Sequence, residues 1–179
     1  MELSMSCRPL GRWLFGKLPS QGDFVARGLD FLLRDSLDGW LSGELQAARE
    51  VFGDDFETRY DNAPAWCFVD RDPNGRWSGG ALCASIDVTG RRFPVMLAGP
   101  TDTAADAAAY ARGCLDALYG AFAGGWDADR LHSSEITCSE QPWEPTDPAW
   151  ALVGEDGPAQ VLAGRFPQGV INAMMELAA

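Results

Sequence analysis

Pro64 to Ala98 reads PAWCFVDRDPNGRWSGGALCASIDVTGRRFPVMLA: three apolar runs divided by two polar breaks. Ala65 to Val69 is a compact β-type run. The break after it, Asp70-Arg71-Asp72-Pro73-Asn74-Gly75, is dense in turn formers, so a hairpin is expected. Trp77 to Ile86 and Phe93 to Ala98 are apolar or small on both alternating faces, as in strands covered on both sides. Connections this short join antiparallel neighbours, because a parallel pair needs a crossover of about a dozen residues. The stretch predicts an antiparallel meander at the centre of a sheet. Pro94 cannot donate to a ladder, which predicts a strand start, a bulge or an edge there.

Upstream, GRWLFGKLPSQGDFV (Gly11 to Val25) runs a short strand, Trp13 to Phe15, into a loop of Gly, Pro, Ser, Gln and Asp. Gly16 lets the chain turn and Pro19 fixes φ, while Phe24 and Val25 resume an apolar pattern expected to be buried. Phe24 to Leu29 is a second short extended piece. Asp30 is a candidate N-cap for a helix whose apolar positions Leu33, Leu37, Trp40, Leu41, Leu45, Ala48 and Phe52 recur at three- and four-residue spacing. Arg34, Asp35, Asp38, Glu44, Arg49 and Glu50 fill its solvated side, and Gly53 ends it. A shorter helix is expected over Asp54 to Tyr60.

Downstream, Thr103 and Asp106 make a capping-box-like start for a second helix carrying Ala107, Tyr110, Ala111, Cys114, Leu115, Leu118 and Phe122 on one face, stopped at Gly124-Gly125. Trp126 to Pro148 is the least legible segment, with a brief strand near Ile136 to Cys138. Trp150 to Val153 and Ala159 to Ala163 flank Gly154-Glu155-Asp156-Gly157 as a hairpin, and Pro167 opens a terminal helix. Helices around five or six strands make an α/β chain, a single-domain three-layer α/β/α sandwich with a mixed, largely antiparallel central sheet.

The chain has 179 residues, enough for one core that buries about two-thirds of its unfolded surface. Its net charge of −12 argues against nucleic acid and anionic membrane; it fits a basic or mixed protein partner, and more simply a role in keeping the chain soluble and monomeric. Cys7, Cys67, Cys83, Cys114 and Cys138 are an odd set without Cys-x-x-Cys spacing, read as thiols of a reducing compartment. MELSMSCRPL, a short lead-in, lacks an apolar segment behind a basic start, and no run approaches a membrane span, so a cytoplasmic protein is expected.

Gly11, Gly16 and Lys17 match the first part of a phosphate-binding loop, but Leu18 stands where a hydroxyl would hold magnesium, and Pro19 removes an amide. The single histidine, His132, is read as a surface residue, too isolated for a triad or a zinc site. Asp70 with Asp72, Asp54 with Asp55, and Asp87 are the local carboxylate candidates, each also explained by turns, with Asp87 set to pair with Arg91 or Arg92. The seven tryptophans would suit ligand stacking, but most sit in β-type or helical apolar patterns and read as core. Neither cofactor nor metal is expected.

FGKLPSQGDFV (Phe15 to Val25), Asp38-Gly39-Trp40-Leu41, Pro64-Ala65-Trp66 and SIDVTGRRFPVMLA (Ser85 to Ala98) together resemble the TagF family, accessory proteins of bacterial type VI secretion. The resemblance covers about Gly11 to Pro100, with an echo at Gly164-Arg165-Phe166-Pro167, while Trp126 to Pro158 departs from the pattern. It implies a cytoplasmic, non-enzymatic regulator that restrains the secretion machine after translation by sequestering the system's forkhead-associated scaffold protein. By motif, Lys17, Ser20, Asp23, Asp87, Arg91 and Arg92 are the candidate polar residues, for holding the loop fold or for meeting a partner. Two other roles stay open. A passive structural subunit would have a stoichiometric place in the apparatus, and a small carboxylate enzyme would show a deep pocket in which two acids have shifted pKa values.

Overall fold

The computed structural model describes the backbone of Ser6–Cys7 and residues 11–178. The lead-in Met1 to Leu10 and the thiol of Cys7 otherwise lie outside the described residues. Strands β1 (Ser6–Cys7), β2 (Trp13–Gly16) and β3 (Val25–Arg27) precede helices α1 (Phe31–Phe52) and α2 (Phe56–Asp61). The meander follows as β4 (Trp66–Arg71), β5 (Trp77–Cys83) and β6 (Val95–Thr101), then α3 (Ala104–Gly124) and α4 (Ala128–Ser133). A short β7 (Ile136–Thr137), the hairpin β8 (Ala149–Gly154) and β9 (Gly157–Ala163), and α5 (Val170–Glu176) complete the order.

Seven strands form one sheet in the order β3-β2-β6-β5-β4-β8-β9, and β1 pairs separately with β7. Every described pair is antiparallel, so the expected mixture is absent: hairpins join β2 to β3, β4 to β5, β5 to β6 and β8 to β9, and the remaining contacts, β2 with β6 and β4 with β8, are antiparallel between strands distant in sequence. Pro94 lies just before β6, where its missing N–H breaks no rung.

Alternation sends Cys67, Val69, Ala81, Cys83, Val95 and Leu97 to one face, against α3 and α4. Trp66, Phe68, Leu82, Met96 and Ala98 go to the other, against α1, α2 and α5. These two apolar layers make the three-layer sandwich. Gly79 lets α3 lie on β5, since a Cβ there would stand 1.9 Å from the Ala107 carbonyl oxygen. Phe68 and Trp150 stack at 4.5 Å between ring centres, and Trp66, Trp143 and Trp150 are buried.

The Asp30 carboxylate caps α1 at the Leu33 N–H, and Thr103 caps α3 at Asp106, both as the spacing predicts. Glu44 departs from its expected solvated place. It is buried, and its carboxylate accepts from the N–H groups of Gly169 (3.1 Å) and Ile171 (3.4 Å). The terminal helix therefore starts at Val170, behind Gly169 at φ +83°, and not at Pro167. A neighbouring helix supplies its cap. The illegible connection holds α4, whose N-cap Asp127 accepts from Arg130, and β7; Trp143 then packs on the α3 layer.

Candidate functional site

Two loops meet at one end of the sheet: the one between β2 and β3, and the one between β5 and β6. Gly16 sits at φ +132°, and a Cβ on it would stand 2.1 Å from the Pro94 carbonyl oxygen, so only glycine allows the two chains to close. Gln21 then donates its N–H to the Leu18 carbonyl at 3.1 Å, and its own carbonyl accepts from the Val88 N–H at 3.0 Å. Asp87 to Gly90 form a turn closed by the Gly90 N–H on the Asp87 carbonyl at 2.9 Å. Inside that turn, the Asp87 side chain accepts from the N–H of Thr89, two residues on, as Asp commonly does.

The carboxylate of Asp87 is buried and receives five donors. Oδ1 accepts the Thr89 N–H (2.9 Å), the Thr89 hydroxyl (2.7 Å) and the Arg91 N–H (3.0 Å). Oδ2 accepts the Lys17 ammonium (2.8 Å) and Arg91 Nε (2.7 Å). Burial alone would raise this carboxyl, but Lys17, Thr89 and Arg91 together outweigh it and hold Asp87 well below the usual carboxylate range. Lys17 is itself buried, with its ammonium 5.0 Å from the centre of the Phe24 ring. Arg91 reaches across to the Gly22 carbonyl as well. Behind this cluster, Ser85 donates its hydroxyl to the Lys17 carbonyl (2.7 Å), and the Tyr60 hydroxyl accepts from the Ser85 N–H and donates to its carbonyl, both at 3.2 Å. Burial pushes the Tyr60 hydroxyl far above its ordinary pKa.

The structure thus joins Lys17, Asp87 and Arg91 in one cluster and leaves the other three candidates outside it. Ser20 donates to the Trp126 carbonyl (2.6 Å), tying the loop to the end of α3. Asp23 is exposed. Arg92 turns the other way, to Asp61 (2.8 Å) and Glu57 (3.0 Å) of α2, and not to Asp87, because adjacent residues of an extended chain point to opposite sides. Phe24 also departs from expectation: Val25 is buried, but Phe24 is 45 % exposed, packed edge-on to Phe93 with its ring over Lys17.

The remaining candidates have local uses. Asp72 accepts the Arg76 N–H within its turn, and Asp54 and Asp55 are exposed in a 3-10 turn. Asp70 pairs with Arg165 at 2.8 Å beside a cavity of about 50 Å³; burial raises its pKa, against the pull of that guanidinium. His132 is half-buried rather than on the surface: it lies in the last turn of α4, and its Nε2–H donates to the Arg12 carbonyl at 2.9 Å. Burial pushes the Cys67 thiol up to about 12, and Cys83 and Cys114 are raised for the same reason, so these thiols resist forming thiolates. Among the described residues no three His, Cys, Asp or Glu gather as a metal site, and no helix is long and apolar enough to cross a membrane.

Sequence reading missed Tyr60, Thr89 and Gln21. Thr89 was readable as the position two after Asp in a turn, whereas Tyr60 and Gln21 act through contacts that nothing local announces. What the closed cluster leaves at the surface is apolar. Phe24, Ile86 (38 % exposed) and Val88 (65 % exposed) project from the two loops. Beside them runs a groove of about 290 Å³ lined by Pro19, Tyr60, Asp61, Ala84, Ser85, Ile86 and Phe122. Saturated as it is, the Asp87 carboxylate is a poor proton acceptor; the arrangement suits holding a surface in shape.

Comparison with known proteins bears on this end of the molecule. The family model described as TagF N-terminal domain, type VI secretion system-associated, matches residues 13–125, which include both loops. The crystal structure of PA0076 from Pseudomonas aeruginosa PAO1 is similar in fold, with a TM-score of 0.60 and 20 % identity, over 93 % of this chain and 78 % of that one. No curated protein matches the chain.

Proposed function

We propose a regulatory binding role for this chain, which belongs to the TagF N-terminal domain family, associated with the type VI secretion system. In this reading it is a cytoplasmic, non-enzymatic, post-translational repressor of a bacterial type VI secretion system, acting by binding and sequestering the system's forkhead-associated scaffold protein. The observation that carries it is the division of labour at the two loops. Lys17, Asp87 and Arg91 spend their charges on one another, while Phe24, Ile86 and Val88 stand exposed on backbone fixed beneath them. A surface ordered before it binds loses little freedom on docking, which favours recognition. The net charge of −12 favours a basic or mixed partner.

The test is co-purification from cells that carry the secretion locus, followed by binding of the purified forkhead-associated protein. The double variant Phe24→Asp with Val88→Asp is expected to weaken the complex at least about tenfold, because two apolar side chains leave a desolvated contact. Val88→Asp alone, at the more exposed position, should weaken the complex while its thermal midpoint stays close to that of the parent chain, whereas Phe24→Asp also loses its packing on Phe93. Absence of any such complex defeats the proposal, as does a stoichiometric place for the chain in the purified apparatus, which would favour the structural-subunit role.

A further inference from the structure

The two edges of the main sheet are finished differently. At one edge β3 is three residues long, and its Arg27 is bonded to Asp129 of α4 at 2.7 Å. At the other, β9 runs seven residues, Gly157 to Ala163, and no described strand lies beyond it. Short strands, charges, a covering helix, prolines and bulges are the usual protections of a sheet edge; β9 is long, no residue from 157 to 163 is charged, and its proline and bulge are confined to the Gly157–Ala159 end.

The backbone shows which groups are on offer. The Gly164 N–H donates inward to the Pro148 carbonyl at 3.0 Å. The Ala163 carbonyl belongs to the same planar peptide, so it points outward. Alternation then turns the N–H and C=O of Val161 outward as well, while Leu162 faces β8. Ala159, Val161 and Ala163 are exposed, and Val161 is 48 % open. The one proline, Pro158, lies beyond the register shift near Leu152, away from Val161 and Ala163, so it blocks neither.

We propose that β9 is a self-association edge, where two copies of this chain pair antiparallel about a two-fold axis at Val161 and join their sheets into one. Charge selects this occupant and this direction. Acidic Glu155-Asp156 stands at one end of the strand and Arg165 at the other. Arg165 binds Asp70 through Nε, and its side chain remains 44 % exposed, so the guanidinium still faces solvent. Antiparallel pairing sets each acidic tip beside the other copy's Arg165, whereas parallel pairing would set acid against acid. In a chain of net charge −12, an uncharged strip is also where two copies meet with least repulsion.

Light scattering behind size exclusion, with sedimentation equilibrium, on the full chain from about 1 to about 100 μM tests this across the range of weak homodimers. The mass is expected to rise toward twice that of the chain. Val161→Pro, which removes an outward N–H, should raise the dissociation constant at least about tenfold by deleting two symmetry-related hydrogen bonds. Val161→Lys should do the same through like charges, and it keeps every backbone donor should the proline variant fail to fold. Glu155→Lys with Asp156→Lys should also weaken the pair. Constant single-chain mass over the whole range overturns the proposal, as does self-association unchanged in Val161→Lys or in the tip variant. Capture of another protein's strand by a chain that stays single overturns it too.

Discussion

The two ends of the sheet hold their shape by opposite means. At the β2–β3 end, a charged cluster with two buried members and every Asp87 lone pair engaged closes two loops that are 70 residues apart in sequence. At the β8–β9 end, shape comes from the hairpin ladder and aromatic packing on Trp150, with backbone groups left open to solvent. Buried polar clusters are intolerant, because removing one member strands the rest without water. An exposed ladder tolerates much more. The family model reaches residue 125, so it covers the intolerant end and stops short of the open one.

The difference is largest at Gly16. Alanine there brings Cβ against the Pro94 carbonyl at a φ that side chains rarely adopt, and the loops cannot separate without opening the cluster. Gly16→Ala is expected to cost about 4 kcal/mol, roughly 10 °C in thermal midpoint for a chain of this size. A loss below about 1 kcal/mol would show that the two loops are not locked together.

Lys17→Met probes the cluster through its charge. A buried pair broken on one side costs about 3 kcal/mol or more; the low end is expected here because Arg91 still faces the carboxylate. Asp87→Asn tests the same pairing through pH. The folded carboxyl lies well below its unfolded pKa of about 3.9, so as pH falls below about 4 the unfolded chain takes up the proton first. Stability from Asp87 is therefore full above that pH and declines beneath it. The asparagine variant should show a flatter loss of midpoint over that acid window, measured by calorimetry, than the parent chain.

Much of the fold was legible because it depends on local signals. Asp30 and Gly53 bracket one 3.6-residue pattern, Thr103 and Gly125 another, and the meander announces itself by its turns. The site was half legible. Its residue types could be named, but the Lys17–Asp87 contact spans 70 positions, and only the fold brings it about. The separate paths of Arg91 and Arg92 were available from two-residue periodicity and went unread. Helix α4 escaped because six residues carry too little periodicity, although Asp127 and Arg130 mark its cap. Once α4 is missed, His132 has nothing to pack on and looks like a surface residue.

Glu44 lies between the two ends in kind: a buried carboxylate whose partners are only backbone N–H groups at the start of α5. Glu44→Ala should cost about 1 to 2 kcal/mol, the range of a lost helix cap, with hydrogen exchange quickening first at Gly169 and Ile171.

The smallest effect belongs to the open edge. Val161 leaves nearly half its surface in water, and β9 keeps its inward ladder whatever side chain stands there. Val161→Lys should therefore change the stability of the single chain by no more than about 0.5 kcal/mol, measured by denaturant unfolding at a protein concentration too low for pairing. Lys17→Met removes one charge from the buried cluster and Val161→Lys adds one to the open edge, so their costs compare how each end answers a change of one charge. Near-equal values would mean that the charged cluster gives the β2–β3 end no more rigidity than an ordinary ladder. The expected several-fold gap would locate the chain's intolerance in the bonds around Asp87 and leave β9 free to accept a charge without unfolding.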